Sequence, residues 1–194
     1  MSESLDALLV RIRACRLCEA QLPLEPRPVL RARSSARLLI VGQAPGTRVH
    51  ESGIPWNDAS GIRLRGWLGL EREVFYDETK IAIVPMGFCF PGQDAQGADL
   101  PPRRECAPSW RAALFAAMPG IELVVAVGAY AHAWHLGSLA RPNLTETVAA
   151  WRDIAAATRR PTVLPLPHPS CRNNACLRRN PWFEAERLPH RQGE

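Results

Sequence analysis

The residues of this 194-residue chain that could do chemistry sit in a few short segments. Cys15-Arg16-Leu17-Cys18 is a close pair among six cysteines. In a reducing compartment such a pair reads as metal ligands or as ordinary buried thiols, not as a disulfide. Gly42-Gln43-Ala44-Pro45-Gly46 is a loop whose glycines let the backbone approach a ligand and whose amides can face an anion. Pro167-His168-Pro169-Ser170 offers an imidazole and a hydroxyl. Between them lies Trp56-Asn57-Asp58-Ala59-Ser60-Gly61, where Asp58 is either a catalytic carboxylate or, like Ser60, a helix cap. His50 and Glu51 share that region, but nothing in their spacing demands a function.

These loops need a scaffold, and the apolar runs supply one. Leu38–Val41, Ile81–Val84, Leu123–Val127 and Thr162–Leu166 are short continuous apolar segments, as expected of parallel strands buried on both faces. Helical spacing predicts helices over Leu5–Arg16, Gly61–Leu68, Cys106–Ala117, Ala129–Leu136 and Leu144–Ala157, with a last one starting near Pro181. The alternation implies an α/β fold, a three-layer α/β/α sandwich around a four-stranded parallel sheet. Functional loops gather at the carboxyl ends of such strands, so the Gly42 and His168 loops should face each other across one end of the sheet. A single domain is expected over 1–194, with 1–30 forming an N-terminal helix and cysteine-bearing segment and the polar tail 187–194 fraying.

The chain is 46% hydrophobic, enough for one well-buried core. Its formal charge is +5, and Lys80 is the sole lysine among 24 basic residues. Arginine pairs readily with phosphate, so nucleic acid is a permitted partner. No apolar stretch is long enough to span a membrane, and the start Met1-Ser2-Glu3-Ser4 lacks a basic, apolar leader. A cytoplasmic monomer without membrane association is expected.

Taken together, the Gly42–Gly46 loop, the continuation Gly53-Ile54-Pro55-Trp56, the late His168-Pro169-Ser170 and the cysteine placement make the chain resemble the uracil-DNA glycosylase superfamily. The resemblance runs from Cys15 to about Asn174 and is closest to the iron-sulfur bacterial and archaeal branch. It implies a DNA repair enzyme that flips a deaminated base out of the stack and hydrolyses its bond to the sugar, leaving an abasic site. It assigns Cys15, Cys18, Cys89 and Cys106 as ligands of a structural 4Fe-4S cluster, with zinc as the alternative metal. Cys171 and Cys176 fall outside that set. It places His168 as the donor to the departing base, Ser170 as a phosphate contact, and Cys171-Arg172-Asn173-Asn174 as the loop pushed into the duplex gap. Trp56 stands where that branch has a Phe stacked on the extruded base, and Gly42 and Ala44 belong to the base-binding loop.

Two positions depart from the branch. Its first loop carries Glu where this chain has Gln43, which can orient a water but supplies no charge. A related branch has a Gly-Asp-x-Ser segment with a catalytic Asp, and Asp58 falls on that position. Where relatives have an Asn four residues before the third cysteine, this chain has Pro85, so base reading passes to backbone near Gly87 or to Asn57, Asn173 or Asn174. Hypoxanthine and xanthine thus stand beside uracil as substrates. No lysine intermediate is expected, since Lys80 precedes a strand. A damage-binding protein with weak catalysis is the alternative, and a nucleoside-processing enzyme ranks last.

Overall fold

The structure, a computed structural model, describes residues 3–170, 174–180 and 183. Four strands form one all-parallel sheet: β1 (Leu38–Val41), β2 (Ile81–Ile83), β3 (Leu123–Val127) and β4 (Thr162–Leu166), in the order β2-β1-β3-β4. Alternation along each strand splits the core in two. Leu39, Val41, Val124, Ala126 and Val163 face one helical layer, while Ile40, Ile83, Val125, Val127, Leu164 and Leu166 face the other. Both faces being covered, these strands must be apolar throughout. The sandwich expected from the sequence is the fold found.

The first layer holds α1 (Leu5–Arg13), α5 (Cys106–Ala117) and α6 (Ala129–Leu136), through Leu8, Ile12, Leu114 and Leu136. The second holds α3 (Ala59–Leu68) and α4 (Arg72–Phe75), through Leu64, Trp67, Leu68 and Phe75. The helix expected over 144–157 is two, α7 (Leu144–Ala149) and α8 (Trp151–Ala157). The break at Ala150 turns Val148 into the second core and Ile154 into the first, so the pair wraps the β4 edge. The opposite edge, β2, is covered by the Pro-rich connector: Arg31 and Ile83 exchange backbone hydrogen bonds of 2.9 and 2.7 Å. Covering an edge in this way removes a site for unwanted strand pairing.

Other boundaries shift. α1 ends at Arg13, three residues short of the expected Arg16, so Cys15 and Cys18 lie in the turn that follows. The short α2 (Thr47–Ser52) and α4 escaped periodicity because neither completes two turns. The last described helix, α9 (Asn174–Arg179), begins earlier than the one expected near Pro181. Pro181 itself, Cys171, Arg172, Asn173 and the tail 187–194 lie outside the described residues. None of the described helices is long and apolar enough to cross a membrane.

Candidate active site

The order of strands reverses between β1 and β3, so connections leave the sheet in opposite directions there and a crevice opens at the carboxyl ends. A cavity of about 360 Å³ occupies that end. Its wall is built from the loops after β1, β2 and β4 and from the segment leading into α3. Gly42, Gln43, Ala44, Trp56, Asp58, His168 and Ser170 all line it. Segments more than 120 residues apart in sequence therefore meet in one place, as the two-loop reading required.

His168 stands at the cavity wall with one ring nitrogen engaged by its own loop. The backbone N–H of Ser170 donates to His168 Nδ1 at 3.3 Å, an arrangement that favours the neutral tautomer with its proton on Nε2. Burial pushes the imidazole below its ordinary value, opposed by the negative charges of Asp58 and Asp99. A neutral ring with an Nε2–H is a donor suited to an oxygen that gains charge.

Trp56 lies against that ring, centroids 5.6 Å apart and planes tilted by 32°. The same indole packs over Gly42, where a Cβ would stand 2.7 Å from Cζ2. Trp56 holds a left-handed backbone, φ 57°, which costs a non-glycine residue roughly 1–3 kcal/mol and persists only where neighbours enforce it. Two neighbours do. The Tyr76 hydroxyl donates to the carbonyls of Pro55 at 2.9 Å and Trp56 at 3.3 Å. Gly61 leaves room for the latter, since a Cβ there would meet Trp56 O at 1.7 Å.

Asp58 does cap a helix: its Oδ1 accepts the Gly61 N–H at 2.8 Å at the start of α3. It also lines the cavity, so both sequence roles remain open to it. Gln43 is tethered differently, its Nε2 donating to the carbonyls of Leu100 at 2.9 Å and Asp99 at 3.4 Å. The amide thus clasps the 93–100 loop onto the cavity rim. That loop contributes Gln93 and Asp99, neither singled out from the sequence. The available signal was position, a polar stretch following a parallel strand, in a segment whose composition otherwise reads as plain connection.

Other expected site residues are elsewhere. Asn57 is not among the residues lining the cavity. Gly87 faces the cysteines, and a Cβ there would meet Pro102 Cβ at 2.9 Å, so close packing explains the glycine. Pro85 does line the cavity, but its carbonyl accepts from Arg111 at 3.0 Å. Asn174 Oδ1 accepts from Arg63 at 2.7 Å, and the same guanidinium reaches Pro169 O at 3.4 Å, bracing the His168 loop. His50 packs on Phe90, and the His50 and Glu51 carbonyls accept from Arg27.

Cys15, Cys18, Cys89 and Cys106 line one separate pocket between the α1 turn, the loop after β2 and the start of α5. None is in a disulfide. Burial and neighbouring thiols push Cys89 up to about 11 and Cys106 up to about 12, while backbone N–H groups of Arg27 and Phe88 pull the other way. Two further donors line the same pocket. Arg103 Nε and Trp110 Nε1, on residues of the pocket wall, are buried without a hydrogen-bond partner. Among the described residues no three Cys, His, Asp or Glu side chains stand in a metal-binding arrangement, so the fit rests on the donor set and not on ligation geometry.

A four-stranded parallel sheet covered by helices on both faces, with a cavity at its carboxyl end walled by Trp56 and His168, defines the class of protein, an α/β protein with its candidate site at the strand ends. A model of the uracil DNA glycosylase superfamily matches residues 31–190, and the chain belongs to that superfamily. Its members are typically glycosylase hydrolases acting on DNA. The matched span includes Cys89 and Cys106 and begins after Cys15 and Cys18.

Proposed function

We propose that this protein is a monofunctional DNA glycosylase that hydrolyses the N-glycosidic bond of a deaminated base, uracil foremost, and leaves an abasic site. The observation that carries the proposal is the placement of His168: it lines the cavity that Trp56 walls, with Nδ1 accepting the Ser170 N–H, the arrangement of a ring that donates through Nε2 to a base departing as an anion. As the bond breaks, negative charge grows on the base and positive charge on the sugar. His168 would stabilise the first. One such donor in a site shielded from water is worth about 10²–10³ in rate, roughly 2.7–4 kcal/mol.

Trp56 would stack on the flipped base and Ser170 would hold a flanking phosphate. Lys80, the only lysine, is an exposed partner of Asp77 at the amino end of β2, away from the cavity, which supports hydrolysis by water over a lysine adduct. Pro85 on the wall offers no amide to read a uracil edge, so hypoxanthine and xanthine belong in the substrate panel. For the cysteine pocket we propose a 4Fe-4S cluster on Cys15, Cys18, Cys89 and Cys106, with zinc the alternative. Either would tie the α1 turn and α5 to the loop after β2 and so hold the cavity wall, without taking part in bond cleavage.

A second reading, a damage-binding protein with weak catalysis, draws on Gln43, whose amide is tied to the rim loop where relatives carry a carboxylate. The test is incubation of the purified protein with labelled oligonucleotides bearing a single uracil, hypoxanthine or xanthine, followed by alkali. Alkali-dependent cleavage at one lesion is expected; salt-sensitive binding without cleavage at any of them favours the second reading.

A further inference from the structure

A glycosylase cavity needs a negative group near the sugar, and Gln43 cannot be that group. Among the described residues that line the cavity, two bear carboxylates, Asp58 and Asp99. Asp58 has one oxygen engaged as the cap of α3, accepting the Gly61 N–H at 2.8 Å. Asp99 is held otherwise. Its Oδ1 accepts from Gln93 Nε2 at 3.0 Å, and its Oδ2 lies against the backbone of Gly46, where a Cβ would come within 3.3 Å. The glycine that ends the Gly42–Gly46 loop thus makes room for the carboxylate.

The rim loop is itself a defined structure. Leu100 N–H bonds to Gly92 O at 2.9 Å, Asp94 N–H to Ala98 O at 2.8 Å, and the Asp94 side chain accepts the N–H groups of Gln96 and Ala98. Gln43 fastens this loop through the carbonyls of Asp99 and Leu100. The residue that lacks a charge therefore anchors the segment that carries one.

We propose that Asp99 is the catalytic carboxylate of this cavity, accepting a proton from the attacking water and facing the positive sugar, with Gln43 its positioning residue. The inference rests on the glycosylase reading above. In the step, the C1′–N bond breaks and its electron pair leaves with the base, whose anion is held by His168 Nε2–H. The water oxygen forms the new C1′–O bond while one water proton passes to Asp99. Asp99 then returns the proton through solvent to the departed base, and the sum is base–sugar plus water giving free base plus abasic sugar. The lowering of His168 by burial is opposed in part by the Asp99 charge, as expected of two groups facing one cavity.

The test compares wild type, Asp99→Asn, Gly46→Ala and His168→Ala in single-turnover release from oligonucleotides carrying uracil or 5-fluorouracil, a better leaving group, with thermal unfolding to verify each fold. Asp99→Asn keeps an oxygen for Gln93, and Gly46→Ala presses on the carboxylate, which must give by a few tenths of an ångström, without changing its chemistry. Loss of a general base costs about 10²–10⁴-fold. We expect a loss of at least about 10²-fold in Asp99→Asn for both bases, a smaller loss in Gly46→Ala, and rescue by 5-fluorouracil only in His168→Ala. An Asp99→Asn rate within a few-fold of wild type, or one restored by 5-fluorouracil, overturns the assignment and makes Asp99 a rim or base-edge residue. If wild type releases neither of these bases nor hypoxanthine or xanthine, the glycosylase reading fails and the Asp99 assignment with it.

Discussion

His168 is the most exposed point of the mechanism to experiment. Removing its ring by His168→Ala deletes one donor to the departing base, and the expected loss in single-turnover rate is about 10²–10³, or roughly 2.7–4 kcal/mol. The pH profile is more discriminating than the size of the loss. Burial holds the folded imidazole below the ordinary value near 6.5, so above that pH the neutral ring predominates. Protonating Nδ1 would also set a second donor against the Ser170 N–H that now points at it. The rate should therefore be flat in its histidine dependence from about pH 6.5 upward and should fall only as acid converts the ring to imidazolium. Linkage has the same sign. An unfolded chain takes up this proton near 6.5 and the folded protein only at lower pH, so the stability contribution is complete above about pH 6.5 and declines as pH drops through the folded value. Labelled-oligonucleotide release across about pH 5–9, with melting curves in the same buffers, measures both. A rate that climbs about tenfold per unit on acidification from neutral would mean that imidazolium is the active form and would refute the tautomer reasoning.

Gly61→Ala separates helix propensity from the site. Alanine favours a helix by about 1 kcal/mol over glycine, yet here its Cβ would meet the Trp56 carbonyl at 1.7 Å, so a net destabilisation of about 1–3 kcal/mol is expected by thermal melting; an unchanged or raised midpoint contradicts the close approach. Anaerobic purification followed by iron, sulfide and zinc analysis tests the cysteine pocket: about four irons with sulfide per chain are expected, lost in Cys106→Ser, whereas metal-free protein in which all six thiols titrate overturns the cluster.

The strands were legible because burial on both faces leaves them nothing but apolar residues: β1, β3 and β4 match the sequence reading end to end. Helices with long apolar faces, α5 and α6, were equally plain. What escaped was set by tertiary packing. No local pattern marks the turn at Ala150, which exists because Val148 and Ile154 serve different cores. The site followed the same division. Gly42, Gln43, Asp58 and His168 stand at strand ends or helix starts and were visible from pattern and resemblance. Asp99 and Arg63 were not, since one sits in a polar connection and the other on a half-exposed helical face; each acquires meaning only from a partner distant in sequence, Gln43 for the first and Asn174 for the second. Gly87 was assigned to the base by its place after β2, but the chain turns there toward Pro102 and the cysteines.

The central claim is that this cavity replaces a base–sugar bond with a sugar hydroxyl. Intact-mass analysis of a single-uracil oligonucleotide after incubation with the protein, with the free base quantified in the same mixture, measures that directly. The account predicts one product in which the base is exchanged for hydroxyl, an unbroken strand, and an equal amount of free uracil. An unchanged oligonucleotide that stays bound to the protein, across uracil, hypoxanthine and xanthine, would contradict it.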